Sequence, residues 1–382
     1  MSEYSRYFNE THEQVRTTIC KFVAEHIAPN ISEWEEAGTF PRELYQLAGD
    51  AGILSIGYPE SIGGIGQGDV FMKVAASEEL MRSGSGGLVA SLASLDIALP
   101  PIVKWGSETM QQRVVPELLS GQKIAALAIT EPSGGSDVAG IKTRAVSDGD
   151  YYRVTGSKTF ITSGIRADYY TVAVRTGGEG YGGISLLLME KGMQGFTTGK
   201  PLKKMGWWAS DTAELFFDDV KVPKSNLIGA ENAGFFAIMT NFQMERLNLA
   251  VMANMTAQLA LEECLRYVPE RAAFGKPLSK MQVIRHKLAD MATQIDVSRE
   301  YNYRVAAMIQ AGIPAIKEVS MAKNFATRTS DFVTYEATQI FGGMGFMRES
   351  LVERLYRDNR ILSIGGGTHE IMNEVIAKQL GL

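Results

Sequence analysis

Apolar residues in the first third of the chain recur at the spacing of one helix face. Val15, Ile19, Phe22, Val23 and Ile27 fall three and four residues apart. Thr11 and Gln14 stand ahead of them at capping-box spacing, and Pro29 stops the run. Pro41 reads as the first helical position of FPRELYQLAGDAGIL. A Gly-rich turn, GYPESIGGIGQGD, follows, and helical stretches resume from Val70 to Leu119, many of them rich in small residues.

Near residue 125 the period changes. DYYRVTGSKTFITSG, YYTVAVRT, GISLLLMEK and TAELFFDDVKVP are rich in Val, Thr, Tyr and Phe, and turn residues separate them. No helix-length segment lies between these strands, so an antiparallel sheet is expected rather than βαβ units. From Ala233 the helical period returns. Leu247, Val251, Met255 and Leu259 form one stripe; Ile284, Leu288, Met291 and Ile295 form another; Pro314 opens a third helix toward Phe341. The expected fold is α+β: an N-terminal all-α domain over 1–124, a middle antiparallel β-domain (barrel or sandwich) over 125–232, and a C-terminal four-helix bundle over 233–382.

Composition narrows the function classes. The chain has 382 residues, too many for one ordinary core, and is 45% hydrophobic and 21% charged, as soluble enzymes are. A net charge of −5 disfavours nucleic-acid binding. Cys20 and Cys264 are the only cysteines, and His12, His26, His286 and His369 make no metal-ligand pattern, so neither a disulfide framework nor a metal site is expected. The start is polar and no apolar run of about eighteen residues occurs, so the expectation is a cytoplasmic protein with no membrane span.

Two glycine-rich stretches raise the question of chemistry. AITEPSGGSDVAG (128–140) is a turn that either joins domains or exposes backbone N–H groups and hydroxyls to an electron-rich ligand. RILSIGGGTHEI (360–371) has no lysine after its glycines and no strand–turn–helix setting, so it is not a phosphate loop.

AITEPSGGSDVAG, KTFITSG (158–164), ERAAFGKPLSKMQ (270–282) and QIFGGMGFMRESLVERLYRD (339–358), in that order, resemble the signatures of the acyl-CoA dehydrogenase family. With the α–β–α order, the resemblance covers nearly the whole chain. It implies FAD as prosthetic group. By that resemblance Thr130 and Ser136 reach the flavin's pyrimidine side or the bound thioester. Phe160 lies against the isoalloxazine, and the Thr162 hydroxyl bonds flavin N5. Arg271 and Phe274 match an RxxFG pattern that reaches the FAD of a neighbouring subunit. Gln282, Gln339, Gly343, Thr368 and Glu370 fall on or beside further cofactor positions. An obligate oligomer follows, a homotetramer built as a dimer of dimers.

The same resemblance places Gly366 where many members carry the catalytic glutamate. Glycine cannot abstract a proton. The long-chain and isovaleryl-type subgroups carry that glutamate in the first bundle helix, one residue before an arginine, and here NFQMERLNLA supplies Glu245 and Arg246. A Glu–Arg pair on an arbitrary helix reads as solvated surface; the vacated late site points instead to Glu245 as the base. The implied reaction is α,β-dehydrogenation of an acyl-CoA to the trans-2-enoyl-CoA. Glu245 takes the pro-R α-proton, flavin N5 takes the β-hydride, and the Gly366 N–H supports the thioester carbonyl. Burial should raise the Glu245 pKa toward neutral. Ser136 and Arg246 contact substrate, and Val89, Ala90 and Ala93 border an acyl pocket that favours a long or methyl-branched chain. An electron-transferring flavoprotein is the implied acceptor. Three readings stand beside this one: an oxygen-using flavin oxidase or monooxygenase, a non-catalytic acyl-CoA or flavin-binding protein, and a helical scaffold with a β-domain insert.

Overall fold

The computed structural model describes residues 6–382. Its first helix, Glu10–Phe22, buries Ile19 and Phe22. The cap differs from the expected one. Thr11 is already inside the helix, and Asn9 and His12 form the reciprocal capping box, with 3.0 Å between each pair. His12 Nε2 lies 2.8 Å from Asp69 Oδ2. The other oxygen of Asp69 caps helix Val70–Met81 by accepting the Met72 N–H at 3.0 Å. One carboxylate thus joins two helices of the N-terminal region. Pro41 precedes helix Glu43–Asp50 and is not part of it, because Arg42 intervenes as the cap residue.

The middle region is one eight-stranded sheet. Its strands are β1 (Ala125–Ala128), β2 (Arg144–Asp148), β3 (Tyr151–Thr162), β4 (Tyr169–Arg175), β5 (Ile184–Glu190), β6 (Phe196–Thr198), β7 (Thr212–Pro223) and β8 (Leu227–Ile228). The order is β6-β7-β3-β2-β4-β5-β8, with β1 also on β4. The pairings are antiparallel except β1–β4 and the single β2–β4 contact. β4 and β5 are buried on both faces, which is why their sequences run apolar without alternation.

Three long helices follow: Gly234–Glu270, Gln282–Gln310 and Ile316–Phe341. Two shorter ones, Leu351–Asn359 and His369–Gln379, pack against the third. The first long helix departs from the expected stripe. Residues 250–257, AVMANMTA, are all buried, so this helix is enclosed on every side at its middle. Small side chains make that possible, since they let neighbouring helices approach closely. One apolar core runs from the N-terminal helices through the sheet into this helix, and a second fills the far half of the bundle. No single described helix is long and apolar enough to cross a membrane.

The junction of the first two regions depends on Gly121. Its φ is +71°, and a Cβ there would lie 2.0 Å from the Tyr45 carbonyl oxygen. Gly121→Ala is expected to cost about 2 kcal/mol or more, from overpacking and backbone strain together. Urea unfolding checks this; an unchanged midpoint refutes it.

Candidate active site

The three regions enclose a cavity of about 920 Å³. Helix Gly86–Leu92 and the turn after it contribute Val89, Ala90 and Ala93 to its wall. The loop after β1 contributes Thr130 and Ser136, and the end of β3 contributes Phe160 and Thr162. The first long helix brings Glu245 and Arg246, and the late glycine stretch brings Gly366 and Thr368.

A buried ion pair shapes the loop. The Glu131 carboxylate accepts Lys158 Nζ at 2.8 Å and the backbone N–H groups of Lys142 and Thr143 at 2.6 and 2.9 Å. Lys158 Nζ also donates to the Ile129 carbonyl at 2.9 Å. Burial pushes the Lys158 ammonium down to about 8, with Glu131 opposing that shift. Burial also raises the Glu131 carboxyl, but Lys158 and the hydrogen-bond donors outweigh it and hold it below its ordinary value. The pair therefore stays ionised near neutral pH. With Glu131 held inside, residues 133–136 turn outward and present bare backbone at Gly134 and Gly135.

Next to this pair, β3 carries one extra residue relative to β7, between Lys158 and Ile161. Phe160 occupies the bulge with φ +58° and is 69% exposed. A bulky residue in the left-handed region costs about 1–3 kcal/mol. The strain puts an aromatic face against the cavity instead of in the core. Thr162 stands on the same wall.

Opposite lies Glu245. Its Oε2 is sealed from solvent and has no hydrogen-bond partner. Burial raises its carboxyl to about 7, with Arg246 and Lys323 pulling the other way. Neither cation forms a salt bridge with it. Arg246 Nε donates to the Gly366 carbonyl at 3.1 Å, and the fully buried Lys323 donates its Nζ to the Gly367 carbonyl at 2.6 Å. Burial lowers the Lys323 ammonium to about 8. The two cations therefore clamp the glycine stretch from behind. No backbone carbonyl among the described residues takes the Gly366 N–H.

Gly366 has φ +63°, and a Cβ there would lie 3.5 Å from Glu245 Oε1, 3.6 Å from Lys323 Cε and 2.5 Å from Leu249 Cδ1. The glycine and the glutamate thus face one point in space. Thr368 caps helix His369–Gln379, accepting the Ile371 N–H at 3.3 Å, while Glu370 is exposed and outside the cavity wall.

Five further expected site residues also lie off the cavity. Arg271, Phe274, Gln282, Gln339 and Gly343 are exposed and do not line this cavity. At about 1.5 Å per residue, Arg271 stands roughly 40 Å along the helix from Glu245. Phe274 sits at the tip of a small hairpin, φ +50° and 96% exposed, and Gln282 opens the next helix. Tyr267 and Phe341 stack at 4.1 Å, which brings Gln339 and Gly343 to that same end.

The sequence reading missed Lys158–Glu131 and Lys323. Lys323 had a signal: it occupies the inward period of its helix with Val319, Ala322 and Ala326. Lys158→Met leaves Glu131 buried and unpaired, and should cost about 3–5 kcal/mol. A thermal-unfolding shift equivalent to less than about 1 kcal/mol would contradict that.

The chain matches the acyl-CoA dehydrogenase N-terminal domain over residues 9–122, the middle domain over 126–220 and the C-terminal domain over 232–381. It is 40% identical over 378 residues to the mitochondrial long-chain specific acyl-CoA dehydrogenase of Sus scrofa, covering 98% of this chain and 87% of that protein. The crystal structure of a probable acyl-CoA dehydrogenase from Mycobacterium abscessus superposes with a TM-score of 0.96 at 51% identity, covering 98% of this chain and 100% of that one. An acyl-CoA dehydrogenase from Bacillus anthracis, solved as a complex with FAD, superposes at 0.92 with 31% identity, covering 98% of this chain and 68% of the other. A full-length match at this identity, on the same three-part fold, places the chain in the acyl-CoA dehydrogenase family.

Proposed function

We propose that this acyl-CoA dehydrogenase uses Glu245 to remove the α-proton of an acyl-CoA thioester, with FAD held between the loop at 130–136 and the end of β3. The observation that carries the proposal is the placement of Glu245: its Oε2 is sealed from water and without a hydrogen-bond partner, and its Oε1 lies 3.5 Å from where a Gly366 Cβ would be. A carboxyl raised to about 7 is a far stronger base than an ordinary glutamate and is still ionised in a large fraction of molecules at neutral pH.

The residues present fit a flavin. Bare backbone at Gly134 and Gly135, the Thr130 and Thr162 hydroxyls, and the strained aromatic Phe160 all line one cavity. When bound, the flavin supplies the acceptor for the β-hydride, at N5. The chain's own part is to hold the thioester and move the proton. The Gly366 N–H is left as a donor for the thioester carbonyl, and the two peptides that follow it are fixed by Arg246 and Lys323. Val89, Ala90 and Ala93 offer small or slender apolar surfaces, which supports a long or methyl-branched acyl group.

The same proposal assigns Arg271, Phe274, Gln282, Gln339 and Gly343 to the FAD of a neighbouring copy in a homotetramer, because they lie too far along the bundle to serve the cofactor beside Glu245. It takes an electron-transferring flavoprotein as electron acceptor, the cytoplasm as location, and 1–124, 125–232 and 233–382 as domains.

Glu245→Gln should retain acyl-CoA binding and slow anaerobic flavin bleaching by about 10²–10⁴-fold. In the wild type, bleaching should rise with pH, reach half its maximum near pH 7 and level above that, because the base works only when ionised. Lys323→Met removes a cation that favours the carboxylate, so the rise should move to higher pH. A pH profile that stays in place would sink the Lys323 role, and rapid bleaching by the Gln variant would sink Glu245. Arg271→Ala should lower the flavin-to-protein ratio after gel filtration; full retention would refute the shared cofactor site.

A further inference from the structure

We propose that the substrate's acyl chain carries a neutral oxygen function, a hydroxyl or keto group, in its distal part, and that Ser77, Lys73 and Asp96 bind it. This rests on the reading of the cavity as an acyl-CoA site and goes further by naming the class of acyl group.

Val89, Ala90 and Ala93 form an apolar row along one side of the cavity, and the next turn of the same segment brings Asp96 into the wall. Helix Val70–Met81 faces it with Ser77 and, one turn earlier, Lys73. Around them the wall is hydrocarbon, from residues such as Ile53, Leu54 and Val74. A polar cluster in such a wall needs a reason.

Its hydrogen bonds are incomplete in a particular way. Lys73 Nζ donates to Asp96 Oδ1 at 2.9 Å, and the Tyr58 hydroxyl donates to the same oxygen at 3.0 Å. No described residue donates to Oδ2 of Asp96. The Ser77 Oγ is buried without any hydrogen-bond partner in a residue only 6% exposed. The cluster thus keeps an acceptor, a hydroxyl and an ammonium with spare donor capacity, all on the cavity that holds Glu245.

A plain hydrocarbon tail reaching this place would strip water from the ion pair and return nothing, which is unfavourable. An oxygen atom on the tail replaces that water. The charge of the guest follows from the balance of the host. Lys73 is already neutralised by Asp96, so a carboxylate tail would meet Asp96 repulsion without gaining a free cation. A hydroxyl or ketone carries no such penalty.

The test is anaerobic flavin bleaching with three acyl-CoAs of equal length: unsubstituted, hydroxylated at successive distal carbons, and carboxylate-terminated. The wild type is compared with Ser77→Ala, Asp96→Asn and the Lys73→Met/Asp96→Leu double variant, each checked for flavin content. The expected result is a preference in kcat/KM of about fivefold or more for a hydroxylated chain over the unsubstituted one. Ser77→Ala and Asp96→Asn should weaken that preference, and the double variant should reverse it. The proposal is overturned if the unsubstituted chain is preferred by the wild type, or if every variant changes all three substrates equally, which would make the cluster a rim ion pair. Preference for the carboxylate would overturn the neutral class. If no thioester bleaches the flavin, the assignment of the cavity to acyl-CoA fails, and this inference with it.

Discussion

The Glu245 carboxyl is largely withdrawn from water, yet it is raised only to about 7, and residues from all three regions line the cavity around it. Glu245 lies where three regions of the chain meet, so no single domain can exclude solvent from it. Burial alone would push its carboxyl too far and leave a neutral acid. Arg246 and Lys323 restrain the shift without forming a salt bridge that would trap the anion. Their hydrogen bonds go to the carbonyls of Gly366 and Gly367. The same two side chains therefore set the charge environment and hold the two peptides that follow the Gly366 N–H.

A similar division of labour operates at the loop after β1. The Lys158–Glu131 pair is buried and expensive, since each ion loses its water. It fixes the loop after β1 to the strand that carries Phe160, and so couples bare backbone to an aromatic face across one rigid joint. The strained φ of Phe160 lies immediately beside that anchor, where the surrounding bonds can hold it.

The long elements were legible in the sequence because their apolar periods are long. Leu247, Val251, Met255 and Leu259 lie buried as their spacing implied. The change of texture near residue 125 marked the sheet. Local signals were weaker. Asn9 caps the first helix in place of Thr11, because two plausible capping residues lay two positions apart and only packing, through His12 and Asp69, chose between them. Lys158 and Lys323 escaped notice for a different reason: a lysine is ordinarily exposed, and only its partners in space explain a buried one. That Arg271 lies off the cavity lined by Glu245 follows from the length of helix Gly234–Glu270, which no local signal gives.

Gly366 also bears on how such chains are compared. Its missing side chain, on a turn, and the Glu245 carboxylate, on a helix, address the same point, and Leu249 fills part of the space a late glutamate would need. If Glu245 is the base, as proposed, the carboxylate reaches that point from a different part of the chain than residue 366. A column-by-column comparison would score this chain as having lost its base. A comparison of what converges on that point finds the Glu245 carboxylate there, with Leu249 as the side chain that any residue larger than glycine at 366 would have to displace.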